Sequence, residues 1–462
     1  MAFPLTKELG KFVAGIRFDT LPPAAVKIAK LGFTDCVAVM IAGSGEPVVE
    51  IARDVLVAKG ANQGEARLIP SGDQVSALDA ALVNGAAGHA FDYDDVALDG
   101  HPSAVLVPAI LAEAEALGAS GRDMIAAYVA GYEVWAELLS RQIDHLHTKG
   151  WHPTCVFGAV AAAASCAALR KLDAERTTTA LGIAASEASG VVANFGTMMK
   201  PMQVGRAAQS GVVAARLAAA GMTAAADALE HPSGYLVATS PKGALDLERT
   251  TADLGKVWRI AEQGLNVKQY PMCYCTHRVM DGVLDLARQH DIDPKAVERV
   301  DVKIGAVALG MLRNHRPTTG LEAKFSIEFA VASGLAARRA GLGELTDDFV
   351  RRPDVQGLIE KVHCETIAET MEGLPFSPFD QVTVTLAGGK TLTSPPMRYA
   401  RGGTEAPLGA AELRAKFDDC VAGKLAAADG AALFAALDGL EQLASARDLR
   451  MHSAPPPRRA AS

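Results

Sequence analysis

The sequence lacks the features that tie a chain to a membrane, a nucleic acid or an oxidising compartment. Its most apolar run, "CVFGAVAAAASCAAL" at 155–169, falls short of the roughly 20 residues that a spanning helix needs, and its alanines suit a buried helix. The opening "MAFPLTKELGKFV" has no basic stretch followed by an apolar core, so it does not resemble a secretory signal. Seven cysteines stand at 36, 155, 166, 273, 275, 364 and 420. An odd, scattered set in a large chain argues against disulfide scaffolding, and the CxC of "MCYCTH" lacks the CxxC spacing of zinc and iron–sulfur sites. No long Lys/Arg run precedes the tail and the formal net charge is −8, which disfavours nucleic acid and an anionic membrane as partners. An anionic substrate therefore needs a local basic pocket. Together these absences predict a soluble, cytoplasmic protein with reduced, packed thiols.

Aromatics are scarce as well, at 5%, and charged residues make up 21%. The abundant alanine suits close-packed helices with small side chains at their contacts, so the expected fold class is mainly α. A length of 462 residues favours two or three structural units over one. Apolar positions three and four apart recur with Gly-containing turns from 4 to about 225, and "SGRD" predicts a helix cap at Ser120 supported by Asp123. Near 268 the texture changes. "VERVDVKIG" and "FDQVTVTLAGGKTLTSPP" alternate β-branched residues, the second around a Gly-Gly hairpin turn, while "AKFSIEFAVASGLAARRAG" and "PDVQGLIEKVHCE" have helical spacing. The expected organisation is a helical domain at 1–267 completed by 401–446, a smaller α+β domain at 268–400, and a disordered tail at 447–462.

Five segments carry residues fit for chemistry. "HAFDYDDVALDGHPS" at 89–103 crowds carboxylates and histidines. His89 and Asp92, three apart, have the spacing of two metal ligands on one helical face, but neither the HExxH order of zinc proteases nor that of an EF-hand is present. An acid–base reading uses the same stretch differently: a carboxylate orients a histidine, the side chain that titrates near neutral pH. His101 and His152 share a local grammar, "HPS" and "HPT" ahead of an apolar helix. Each has a plainer reading as a helix-capping or packed ring. Lys200 and Arg206 lie in "KPMQVGRAAQSG", where cations at a helix start can meet a substrate carboxylate. Lys268 and His277 lie in "VKQYPMCYCTH", and Lys324 in "LEAKFSIEFA".

In order along the chain, "NGAAGHAFDYDDVALDGHPSAVLVPAILAEAEAL", "GWHPTCVFGAVAAAA", "KPMQVGRAAQSGVVAARLAAAG", "VKQYPMCYCTH" and "AKFSIEFAVASG" resemble the MmgE/PrpD family, from about residue 5 to about 440. The family includes 2-methylcitrate dehydratase, cis-aconitate decarboxylase and iminodisuccinate epimerase. The resemblance implies a large helical domain built from both chain ends, a smaller α+β lid-like domain, and a homodimer. It implies catalytic roles for Asp92, His101, His152, Lys268 and His277, with Lys200 binding substrate. In the decarboxylase-like pattern a Thr and a longer loop follow the acidic motif, whereas Val96 and "ALDG" stand here. The implied chemistry makes or protonates a carbanion beside a carboxylate, stabilised by preorganised cations, without organic cofactor or metal. The expectation placed first is a hydro-lyase of a 2-methylcitrate or citrate type of polycarboxylate. An imino- or aminodicarboxylate epimerase or a cis-aconitate-type decarboxylase are the alternatives, with a non-enzymatic scaffold last.

Overall fold

The computed structural model describes residues 2–57, 64–240, 242–372 and 376–453. The chain divides into two compact units. The first holds residues through Ala90, Asp94–Leu265 and the chain from Arg414 onward; the second holds Phe91–Tyr93 and Asn266–Leu413. The fold is mainly α with a smaller α+β unit.

The first unit begins with α1 (Leu5–Gly15), α2 (Pro23–Gly43) and α3 (Pro47–Leu56), followed by a two-stranded ladder of β1 (Ala66–Arg67) and β2 (Gln74–Val75). Then come α4 (Ala77–His89), α5 (Pro102–Leu117), α6 (Gly121–Arg141), α7 (Pro153–Leu169), α8 (Ala174–Glu187), α9 (Met199–Ala219) and the short α10 (Tyr235–Thr239) and α11 (Arg259–Gln263). The starts follow local chemistry. Ser120 and Asp123 form the expected capping box on α6, and Pro102 and Pro153 open α5 and α7 at a position where no backbone N–H is needed. α5 and α7 are apolar nearly all round and buried nearly all round, as helices at the centre of a layer must be. α7 packs against α5, α6, α8 and α9.

Small residues set how closely these helices approach. A Cβ on Gly205 of α9 would lie 2.2 Å from the Leu82 carbonyl oxygen and 2.9 Å from the Ala86 nitrogen of α4. Glycine there lets the two backbones touch, which fixes the C-terminal end of α4 beside the start of α9.

The second unit contains α12 (His277–Gln289), β3 (Val297–Gly305), α13 (Ala306–Met311), α14 (Gly320–Ala323), α15 (Ile327–Ala337), α16 (Asp347–Val350), α17 (Pro353–Ile359), β4 (Val362–Ile367), β5 (Gln381–Leu386) and β6 (Thr391–Thr393). The sheet order is β4-β3-β5-β6, with β3 parallel to β4 and antiparallel to β5. β5 and β6 form the expected hairpin. α12, α15 and α17 share a core with inward valines of β3 and β5, including Val300, Val302, Val382 and Val384. α18 (Ala410–Val421) and α19 (Ala427–Asp438) follow, and the chain re-enters the first unit within α18.

Three expectations need correction. The helical reading of "PDVQGLIEKVHCE" holds only to Ile359; Val362 and Cys364 then alternate onto the second unit's core as strand β4. The return to the first unit comes at 414 rather than 401, because Arg401 N–H donates to Asp281 (2.8 Å) and Gly402 accepts from Val267 N–H (2.8 Å). The stretch 447–453 is packed rather than disordered: Leu449 and Met451 are buried, and the Arg447 guanidinium donates to the Glu115 carbonyl at 2.7 Å. The remainder of the expected disordered tail, 454–462, lies outside the described residues. Among the described residues no helix is long and apolar enough to cross a membrane.

Gly205→Ala is expected to lower unfolding free energy by about 1–3 kcal/mol, the usual range for overpacking. Gly357→Ala, in a helix where a new Cβ meets nothing within 4 Å, should instead stabilise by about 0.5–1 kcal/mol. Urea unfolding of the two variants checks both signs.

Candidate active site

In the first unit, four side chains from different elements converge. His89 is the last residue of α4, His101 and His152 immediately precede α5 and α7, and Lys200 is the second residue of α9. Neither His101 nor His152 caps its helix with its ring. The rings are thereby available for other partners, and the capping reading of both is set aside.

Asp94 joins two of them. One carboxylate oxygen lies 2.8 Å from His89 Nδ1 and the other 2.9 Å from His101 Nδ1, and His101 Nδ1 is also 3.0 Å from the Asp95 carbonyl. The far nitrogen of His89, Nε2, is 2.8 Å from Lys200 Nζ. Lys200 Nζ also lies 5.1 Å from the centre of the Phe195 ring, which meets the His152 ring edge-on at 4.8 Å. His152 Nδ1 is 2.8 Å from Gln203 Oε1.

The electrostatics follow from this order. Burial alone would raise the Asp94 carboxyl, but the His89 and His101 rings override it and hold the group well below the usual carboxylate range. Burial lowers the His89 pKa to about 4, the nearby Asp94 opposes that, and Lys200 and His101 add to it. His89 is therefore a neutral imidazole that donates from Nδ1 to Asp94 and accepts from the Lys200 ammonium at Nε2. His101 presents Nδ1 to that carboxylate at 2.9 Å, and Lys200 lies on the far side of His89.

The segment between the acidic motif and His101 is a two-residue turn. Ala97 and Gly100 exchange both backbone hydrogen bonds (3.0 and 2.9 Å), and Leu98 and Asp99 both take positive φ, 52° and 57°. This is the twist of a type I′ turn, which non-glycine residues adopt at some cost. Trp135 Nε1 holds the Leu98 carbonyl at 3.0 Å, and Asp99 faces His145 and His147 at 3.9 and 3.6 Å. Burial raises the Asp99 carboxyl, but these two histidines leave it below its ordinary value.

The second unit holds the other expected residues. Lys268 is buried and donates to both the Asp92 carbonyl (2.5 Å) and its carboxylate (2.7 Å). Asp92 has a φ of 52°, and the neighbouring Tyr93 hydroxyl donates to the Gln269 carbonyl at 3.2 Å. His277 opens α12 with Nε2 3.3 Å from the Met272 carbonyl and its ring 5.1 Å from both Tyr270 and Tyr274. Lys324 Nζ lies 5.3 Å from the Phe91 ring centre.

Arg206 is not part of the first unit's cluster. Lys200, Gln203, Val204 and Ala207 mark the buried face of α9, and six residues on from Lys200 the helix has turned Arg206 to solvent, where it donates to Gln209. The structure therefore places it apart from His89, His101, His152 and Lys200. Gln203 and Phe195 escaped the sequence reading. Gln203 was within reach of it, because it stands three residues from Lys200 on the same helical face.

His89, Asp94 and His101 present donor atoms within 4.8 Å of one another. Their chemistry suits hydrogen bonding better than a cation: both Nδ1 atoms already face Asp94, and an ammonium occupies the outer side of His89. Asp92 is itself ion-paired with Lys268 at 2.7 Å.

Comparison with known proteins agrees with the sequence resemblance. The profile of the MmgE/PrpD N-terminal domain matches residues 7–248 and that of the MmgE/PrpD C-terminal domain residues 270–441. The chain is 26% identical over 431 residues to a mouse cis-aconitate decarboxylase, covering 89% of this chain and 86% of that protein. A human cis-aconitate decarboxylase is 28% identical over 355 residues (73% and 71%), and one from Aspergillus terreus 26% over 383 residues (78% and 77%).

Two outcomes follow. Between the ordinary histidine value of 6.5 and about 4, His89 is charged in the unfolded chain but neutral in the folded one. Stability should fall as pH drops through that window, by about 3 kcal/mol once it is crossed. Calorimetry from pH 7 to 4 should show a shallower loss in His89→Gln. Separately, Lys268→Met removes the partner of the buried Asp92 carboxylate and should destabilise by about 3–5 kcal/mol in denaturant titration.

Proposed function

The chain belongs to the MmgE/PrpD family, and from that premise we propose that it is a cofactor-independent lyase acting on a polycarboxylate through a carbanion next to a carboxylate. The observation that carries this reading is the pairing of half-buried His101 with the buried Asp94, 2.9 Å apart, with Lys200 joined to the same network through His89. It combines a proton donor with a fixed cation, which is what a developing carbanion and its enolate-like form require.

The relatives named above are cis-aconitate decarboxylases, which favours decarboxylation of a cis-aconitate-like substrate over the dehydration placed first by sequence. In that reaction the bond to the departing carboxylate breaks and CO2 leaves. The electron pair moves through the adjacent double bond to the carbon beside another carboxylate, and His101 Nε2 delivers a proton there. Lys200 offsets the substrate's negative charge.

One feature favours dehydration as a second reading. His152 rests on an amide rather than a carboxylate, so the two rings have unlike partners, as a base and an acid acting on one substrate require. His152 would take the proton beside the carboxylate and His101 would protonate the departing hydroxyl.

Incubation with cis-aconitate, citrate and 2-methylcitrate, followed by mass spectrometry, separates these reactions. Loss of CO2 in D2O with one deuterium gained is the expected result for decarboxylation; loss of water marks dehydration. His101→Ala and Lys200→Ala should each reduce turnover at least about 100-fold, and a chelator should leave it unchanged. Full turnover in His101→Ala defeats the proposal.

A further inference from the structure

We propose that Gln203 is a positioning residue that fixes His152 as a neutral imidazole protonated at Nδ1, so that its Nε2 lone pair is a proton acceptor. The role in turnover rests on the dehydration reading above; the tautomer itself does not.

The argument begins with the amide. Gln203 Nε2 donates to the Val191 carbonyl at 3.2 Å, and its Oε1 lies 2.8 Å from His152 Nδ1. Reversing the amide would set its oxygen against the Val191 carbonyl, and neither atom can donate. Oε1 therefore faces the ring, and the ring nitrogen opposite it must carry the hydrogen. Cys155 Sγ lies 3.3 Å from the same Nδ1, but burial pushes that thiol up, so it places no anion beside the ring.

The backbone holds this arrangement from behind. His152 N–H donates to the Gly190 carbonyl at 3.1 Å. Gly190 has a φ of 112°, and a Cβ there would lie 3.3 Å from Gln203 Oε1 and 3.4 Å from His152 Cβ. A side chain at 190 would press on both partners.

The groups acting on His152 are Lys200 and Gln203 from α9, His89 at the end of α4, His101 ahead of α5 and Cys155 on its own helix. Burial and then Lys200 and His89 hold the ring well below the ordinary histidine value, against the opposing bond from Gln203. His101 differs because its Nδ1 faces the Asp94 carboxylate. The amide thus selects a tautomer without supplying the negative charge that would keep the ring protonated. In the dehydration, the His152 Nε2 lone pair forms the new N–H bond, the substrate C–H bond breaks, and the released pair on the carbon beside the carboxylate goes on to expel the hydroxyl that His101 protonates.

The test has two readouts. In 15N-histidine-labelled enzyme at neutral pH, with His152→Gln used to assign the signal, the expected spectrum shows a protonated Nδ1 and an unprotonated Nε2. In Gln203→Leu the preference should shift toward the other tautomer. A wild-type ring protonated at Nε2, or at both nitrogens, overturns the proposal, whatever the enzyme's substrate. In the second readout, Gln203→Glu places a carboxylate at Nδ1 and should move the acidic limb of the kcat/KM profile upward by about one pH unit or more. Gln203→Leu should lower kcat about tenfold with little change in KM, and Gln203→Asn, which keeps the amide, should recover part of it. An unmoved acidic limb in a folded Gln203→Glu overturns the positioning role. Absence of turnover in wild type on the polycarboxylates refutes the lyase reading instead, and leaves the tautomer to be judged by the NMR spectrum.

Discussion

A carboxylate shared by two imidazoles organises the charge in the first unit. Asp94 is removed from water, and an ion in that position is stable only where donors meet its oxygens. His89 donates to one oxygen, and the His101 ring nitrogen lies 2.9 Å from the other while bonding the Asp95 carbonyl. The arrangement determines more than the state of Asp94. Once His89 donates from Nδ1, its other nitrogen can only accept, and the Lys200 ammonium is the group that meets it. Charge and lone pair then alternate from the carboxylate through a neutral ring to the cation, with no two like partners in contact.

The geometry of that chain is imposed by helix packing. His89 and Lys200 come from the end of one helix and the start of another, 111 residues apart in sequence. Their contact depends on the close backbone approach at Gly205, five residues and about one and a half helical turns from Lys200. His101 and His152 take their places by a different device. Each stands one residue ahead of a proline-opened helix that is buried almost all round, so the ring is held at the end of a rigid element, His152 buried and His101 half-buried.

Much of this was legible in the chain. The mainly α class followed from alanine content and spacing, the cap at Ser120 from its tetrapeptide, and the hairpin from its Gly-Gly turn. The repeated His-Pro grammar marked two of the clustered rings. Other features depend on pairings that no local pattern encodes. Asp92, Asp94 and Asp95 are indistinguishable as letters, yet one pairs with Lys268, one with two histidines, and one lends its backbone carbonyl to His101. Arg206 shares the helix start with Lys200, but six residues of helical phase turn it to solvent, which the position of a cation in the segment does not reveal. Strand β4 was hidden because it begins three residues after a helix ends, where two periodicities run together.

The tight turn at Leu98–Asp99 has a consequence for how this edge of the first unit meets a ligand. Two consecutive residues in left-handed conformation cost about 1–3 kcal/mol each, and the Trp135 indole and the two facing histidines hold the turn in place. Such a segment has no slack. It cannot swing over an incoming molecule as a longer loop could, so His101 can rotate about its own bonds but cannot travel. For the substrate proposed above, this edge would act as a preformed wall, with no closing motion of the turn.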